Sequence, residues 1–192
     1  MFPNKTAILS GGALEEPFSS SYSMDFDGSN EYLDIGTGLG IALGDTYTGS
    51  LSVSLWFKCD VTSSEDSGII SIGTTLISDN GIFTVRIQDD KLLYLLAGGQ
   101  WRRRGAFTDT ASWHHLVCIY DTTDTSGAGG GANSKMYLDG SEFGSLLGHP
   151  TNDFPVDSDM AFNGKKTVIG TYFTANYPFD GKIDDLGIWD VA

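Results

Sequence analysis

Three groups of side chains in this sequence have types and spacings that bear on chemistry: the carboxylates, a basic run beside a tryptophan, and an aromatic stretch near the C-terminus. The acids are 20 Asp and five Glu among 25 acidic residues. A retaining glycosidase needs two carboxylates about 5 Å apart, close to the spacing of side chains two residues apart on one strand. Glu15, Glu16, Glu31, Glu65 and Glu142 are scattered along the chain. Asp-x-Asp occurs at 25/27, over a turn, and at 157/159, among loop prolines. The chain also lacks G-x-S-x-G, a P-loop, H-E-x-x-H and C-x-x-C. His114 and His115 are adjacent on an expected strand, so alternation sends them to opposite faces and they cannot share a metal. On these absences the chain is expected to be non-enzymatic.

The basic run is Gln100-Trp101-Arg102-Arg103-Arg104, three of the 11 basic side chains. Strand alternation puts Arg102 and Arg104 on one face, with Trp101 and Arg103 on the other. Two roles stay open. The charges protect a solvated edge from edge-to-edge pairing, or they form a contact surface for an anionic glycan or an acidic neighbouring subunit. In the second role Arg supplies forked donors and Trp a stacking platform. The aromatic stretch holds Tyr172, Phe173, Tyr177 and Phe179. Its rings either stack on sugars or pack the loop over the core. Asp25-Phe-Asp27-Gly-Ser-Asn30 echoes the start of an EF-hand loop, but the twelfth position is Gly36 and no helices flank it, which excludes that site.

The elements that must hold these groups are strands. The chain has 192 residues, 40% of them apolar, enough for one core without covalent staples. Its charge is 11 − 25 = −14, which argues against nucleic acid as the partner. No apolar run approaches the roughly 20 residues that span a bilayer, and residues 1–12 hold no stretch of secretory-signal length. Leu51–Cys59 alternates apolar and polar residues. Less regular runs follow at 22–26, 31–36, 68–74, 81–88, 91–97, 101–107, 113–121, 134–139, 141–147, 166–171 and 180–189. Asn-Gly or Asp-Gly pairs at 27–28, 80–81, 139–140, 163–164 and 180–181 mark turns, and every proline falls outside the strand interiors. About a dozen such runs imply an all-β, two-sheet antiparallel jelly-roll sandwich. Residues 37–46 have room for one short helical turn, and 125–133 read as a flexible hairpin tip. Residues 1–20 read as an N-terminal arm and 21–192 as the domain. Cys59 and Cys118 allow one disulfide at most and read as small buried thiols.

Four segments together resemble one family. Tyr22–Ile35, Ser50–Lys58, Ser112–Asp121 with Lys135–Gly140, and Val168–Gly170 with Phe179–Trp189 are similar, in order and spacing, to the strands of laminin-G-like domains of the concanavalin A-like lectin/glucanase superfamily. The resemblance implies a jelly roll of two curved sheets and, for most members, binding of glycans, receptors or neighbouring subunits. A minority are glycoside hydrolases, whose laminarinase-type members carry two Glu flanking an Asp on one strand, a string this sequence lacks. The resemblance also implies a structural Ca²⁺ between the chain ends, with Asp27 or its turn carbonyls and Asn30 facing Asp184 or Asp185. On these grounds Trp101, Arg102, Arg104, Tyr172 and Tyr177 are the expected ligand contacts. The expected role is a surface-exposed recognition or assembly module of virion or tail-fibre type, extracellular or on a virion surface, in a homo-oligomer or larger assembly. The alternative is a calcium-dependent lectin module of a secreted protein, and behind it a glycoside hydrolase.

Overall fold

The computed structural model describes residues 22–44, 47, 49–59, 66–74, 83–88, 92–97, 100–121, 134–146, 162–172 and 177–190. The strands in chain order are β1 (Met24–Asp27), β2 (Leu33–Gly36), β3 (Ser50–Cys59), β4 (Ser67–Thr74), β5 (Phe83–Ile87), β6 (Leu92–Ala97) and β7 (Gln100–Ala106). Then come β8 (His114–Asp121), β9 (Lys135–Leu138), β10 (Ser141–Glu142), β11 (Ser145–Leu146), β12 (Lys166–Ile169) and β13 (Asp180–Trp189). One six-residue helix, α1 (Gly38–Leu43), falls where a single helical turn was expected. The arm 1–20, the hairpin tip 125–133, the pair 80–81, Asp157, Asp159 and Phe173 lie outside the described residues.

Two antiparallel sheets stack into a sandwich. One has the order β1-β13-β3-β8-β9-β10, the other β11-β7-β6-β5-β4-β12-β2. Alternation explains the stacking. On β3, Leu51, Val53, Leu55, Phe57 and Cys59 are buried, and Leu116, Cys118 and Tyr120 do the same on β8. From the facing sheet Ile70, Ile72, Phe83, Val85 and Ile87 complete the core. Apolar area removed from water is worth roughly 25 cal/mol per Å², so this interleaved layer is the main favourable term of the fold.

Turn chemistry closes the hairpins. Asp139 and Gly140 both have positive φ (51° and 77°), as a two-residue turn between β9 and β10 requires. The Asp-Gly pair at 180–181 is different: it opens β13 instead of turning the chain, and Gly181 pairs with Cys59. The run 141–147, expected as one strand, is two short ones in different sheets, β10 beside β9 and β11 beside β7. Between them Gly144, at φ 78°, lets the chain cross the sandwich edge. On β13 a bulge separates Asp184, opposite Trp56, from Gly187, opposite Ser54. Asp185 sits there at φ 47°, a conformation that Asp tolerates better than most residues. The extra residue reverses the alternation, so Leu186 and Ile188 pack on the core while Trp189 is exposed.

Both cysteines are free and buried. Cys118 lies opposite Val53, and Cys59 is six residues further along β3, about 20 Å away at strand rise. A disulfide reaches only about 7 Å between Cα atoms. Burial also pushes the Cys118 thiol far up, away from the reactive thiolate. A thiol reagent should therefore label both cysteines only in denaturant, with the melting temperature the same with and without reductant. Labelling of the native protein at a comparable rate would contradict this burial.

Candidate functional site

Three of the five expected contact residues, Arg104, Tyr172 and Tyr177, lie along the outer face of the seven-stranded sheet. On β5 the inward side chains Phe83, Val85 and Ile87 alternate with Thr84 and Arg86, which belong to the outer face yet are buried. The Ser71 and Thr84 hydroxyls bond each other at 2.8 Å. Arg86 carries a charge out of water, which is costly unless the charge is paired and hydrogen-bonded. Its Nη1 donates to Asp66 Oδ2 at 3.0 Å and to the Tyr172 hydroxyl. The Tyr172 hydroxyl in turn donates to Asp66 at 2.8 Å, and the guanidinium lies 4.6 Å from the centre of the Tyr172 ring. Burial first, and then the bond to Asp66, push the Tyr172 phenol well above its usual range.

The loop carrying the tyrosines is pinned to the sheet by its backbone. Gly170 N–H donates to Ile69 O, Phe179 N–H to Gly170 O, and Gly68 N–H to Tyr177 O. Gly68 has no room for a side chain, because a Cβ there would collide with the Thr171–Tyr172 backbone. Tyr177 stacks on Tyr172 with ring centres 4.6 Å apart and planes 19° from parallel. Tyr172 is buried and Tyr177 half-buried. The pair therefore presents one preorganised aromatic surface fixed from beneath by Arg86 and Asp66.

Arg104 joins the same row. Gly68 pairs with Arg86, Arg86 with Tyr94, and Tyr94 with Arg104. Three interstrand spacings put the exposed Arg104 about 14 Å across the sheet from the Tyr177 attachment. Trp101 and Arg102 are placed by backbone register. A bulge between Leu95 and Leu96 leaves Arg102 without a register partner, with Trp101 opposite Leu96 and Arg103 opposite Leu95. Simple alternation, which grouped Trp101 with Arg103, fails at this bulge. Nor is Arg103 a solvated edge charge. It is buried, donates to Ser134 O (2.9 Å) and Gly144 O (3.1 Å), and pairs with Glu142 at 2.9 Å, tying β7 to the opposite sheet's edge. The strand itself is flanked by β11 and so is not the outermost.

The two histidines do lie on opposite faces. His114 is buried with Nδ1 2.7 Å from Asp139 and Nε2 3.0 Å from Asp109 O, a brace between loop and hairpin. His115 shares a 2.8 Å hydrogen bond with Ser54 Oγ and packs on Trp56 at 5.0 Å. Burial holds its imidazole below the usual range.

The expected calcium ligands fall into two separate places. Asp27 pairs with Asp180 and accepts the Ser29 N–H at 2.9 Å, with Asn30 exposed on the same turn. Asp184 accepts the Asp185 N–H at 2.8 Å within the bulge. Four residues separate Asp180 from Asp184 on β13, roughly 13 Å at strand rise, whereas calcium ligands sit about 2.3–2.6 Å from the ion. Asp27, Asn30, Asp184 and Asp185 thus do not form one coordination sphere. Among the described residues no group of three or more acidic, His or Cys side chains is placed to hold a metal.

Arg86 and Asp66 carry no signal in the sequence that marks them as part of this site. A charged residue at an outward strand position looks like ordinary solvated surface, and only Tyr172, 86 residues away, reveals its burial.

A laminin G-type domain model, described as the concanavalin A-like lectin/glucanases superfamily, matches residues 27–192. No curated protein sequence matches the chain. Among solved structures, a heptameric SAP-like pentraxin from Limulus polyphemus is similar at TM-score 0.53 and 16% identity, over 88% of this chain and 75% of that one. A candidate carbohydrate binding protein from Bacteroides ovatus gives 0.54 and 21% over 87% and 43%. A sialidase from Trypanosoma rangeli gives 0.57 and 12% over 88% and 25%. This chain thus spans under half of the latter two, and at these identities the likeness is one of fold.

Two measurements check the site's construction. Tyr172→Phe removes the hydroxyl shared by Arg86 and Asp66, and should cost about 1–3 kcal/mol in a denaturant melt. Arg104→Ala should stay within about 0.5 kcal/mol of the parent. The separation of the acidic groups predicts that any rise in melting temperature on adding calcium survives Asp184→Ala. Loss of that rise in the variant would mean that one ion does bridge the chain ends.

Proposed function

The chain belongs to the concanavalin A-like lectin/glucanases superfamily, and we propose that it is a non-catalytic recognition domain that binds an oligosaccharide across the outer face of its seven-stranded sheet. The observation that carries this is the Tyr177 ring, stacked on Tyr172 and held over the Arg86–Asp66 pair. Aromatic rings recognise sugars through their faces, and a ring already fixed in place loses little freedom on binding. Arg104, about 14 Å away in the same row, supplies a forked donor for a second polar group. That span favours an oligosaccharide over a single sugar. The carbohydrate-related names of two fold neighbours agree with this reading.

The non-catalytic reading draws on the one carboxylate described beside the tyrosines. Hydrolysis by the usual route needs two acids flanking the bond, and Asp66, beside the tyrosines, is committed to Arg86 and Tyr172. An assembly role of virion or tail-fibre type, outside the cell or on a particle surface, draws on a different observation. Tyr22, Tyr32, Leu33 and Ile35 are exposed beside β1 and β2, the outermost strands of the two sheets. An apolar flank on strands that end the sheets among the described residues suits contact with a neighbouring subunit.

A glycan array, followed by calorimetry on the best ligand, tests the recognition role. Tyr177→Ala should weaken binding about tenfold or more, the worth of a lost aromatic contact. Its cooperative melt should persist with a loss of about 0.5–1.5 kcal/mol for the stacked ring, and the bound glycan should be recovered uncleaved. Unchanged affinity in Tyr177→Ala, or cleavage of the glycan, would overturn the proposal.

A further inference from the structure

The opposite side of the sandwich carries a second aromatic surface, built differently. On the outer face of the six-stranded sheet, Gly187 pairs with Ser54, and Trp189 with Ser52. The Trp189 indole lies along its strand: its six-membered ring fills the space where a side chain at 187 would stand, and a Cβ at Gly187 would collide with it. The ring reaches this face only because the bulge at Asp185 reverses the alternation of β13. It is 48% exposed, whereas Phe57, Phe83, Phe162 and Phe179 are fully buried. One residue pair further along, Ser54 Oγ bonds His115 Nε2 at 2.8 Å, and the imidazole packs on Trp56. Two indoles therefore border a hydroxyl–imidazole pair on one sheet face.

That combination has a defined ligand chemistry. Apolar ring faces with small hydroxyl and imidazole groups between them match a sugar ring, which offers C–H groups on its faces and hydroxyls at its edge. The charges lie at the border: Asp184 beside Trp56, and the Asp25–Lys182–Lys58 row beyond it. Lys182 is paired with Asp25 and Lys135, on the β9 side, with Glu142, and the charge directly beside Trp56 is the Asp184 carboxylate, which repels an anionic ligand. We infer that the outer face of the six-stranded sheet is a second carbohydrate site, specific for neutral sugars and centred on Trp189, Ser54 and His115. The domain then binds glycan on both sides of the sandwich, so that one molecule can bridge two chains.

The test uses the full chain carrying Tyr177→Ala, which weakens the first face about tenfold without touching the second. Cellotetraose, xylotetraose, mannotetraose and maltotetraose are titrated at millimolar concentration, with 6'-sialyllactose as the anionic control. The indole N–H signals of the four tryptophans are followed by NMR. At least one neutral sugar should shift the Trp189 signal saturably, and the anionic sugar should not. Gly187→Ala keeps the indole but displaces it, and should weaken that binding about tenfold. Its melting curve serves as the folding control, and Ser54→Ala provides a second, less disruptive variant with the same expected direction. A Trp189 signal unmoved by every neutral sugar, or moved equally by sialyllactose, would overturn the proposal. So would equal binding in both variants. Binding to the parent chain that vanishes in Tyr177→Ala would leave the first site standing and remove the second.

Discussion

Alternation on β3 is the constraint from which the rest follows. Its odd positions from Leu51 to Cys59 are buried between the sheets, and its neighbours β13 and β8 are fixed to it residue by residue. A one-residue slip would turn the whole apolar set outward, so register is strongly determined. The same rule assigns the other half of each strand to an outer face. Each sheet thus has one face turned to the core and one turned away from it, and the outer faces carry the groups that recognition would use.

The two faces are prepared by different physics. On the seven-stranded sheet a charge is removed from water. Arg86 is tolerated there because Asp66 and Tyr172 together satisfy its buried Nη1, and the same contacts fix the tyrosine stack above. Removing one member leaves the others buried and underbonded, the costly half of hydrogen-bond energetics. On the six-stranded sheet the device is steric. A bulge and a glycine lay one indole across the surface, with little electrostatic cost. Arg103 belongs to neither face: its bonds to Ser134, Gly144 and Glu142 close the sandwich edge.

Fold and strand positions were legible from sequence because period-two patterning and Asp-Gly pairs are local signals. The Asp139–Gly140 turn and the opposite placement of His114 and His115 follow from them. What was not legible is non-local. Two bulges, at Arg102 and Asp185, shift the alternation by one and change which residues share a face. Nothing in the run of three arginines distinguishes the buried Arg103 from the exposed Arg104. That difference arises from Ser134 and Glu142, 31 and 39 residues away. The expected ligand residues Tyr172, Tyr177 and Arg104 do share a row, but Arg86, which joins them, emerges only from the strand register.

The central claim is that the outer face of the seven-stranded sheet is the principal recognition surface, and amide shift mapping by NMR tests it most directly. The chain is titrated with the oligosaccharide that binds it best, and perturbed backbone amides are placed on the fold. The largest perturbations are expected at Gly68, Arg86, Arg104 and Tyr177, in one row across four strands. Perturbations absent from that row, and concentrated instead on the exposed β1–β2 flank at Tyr32, Leu33 and Ile35, would contradict it.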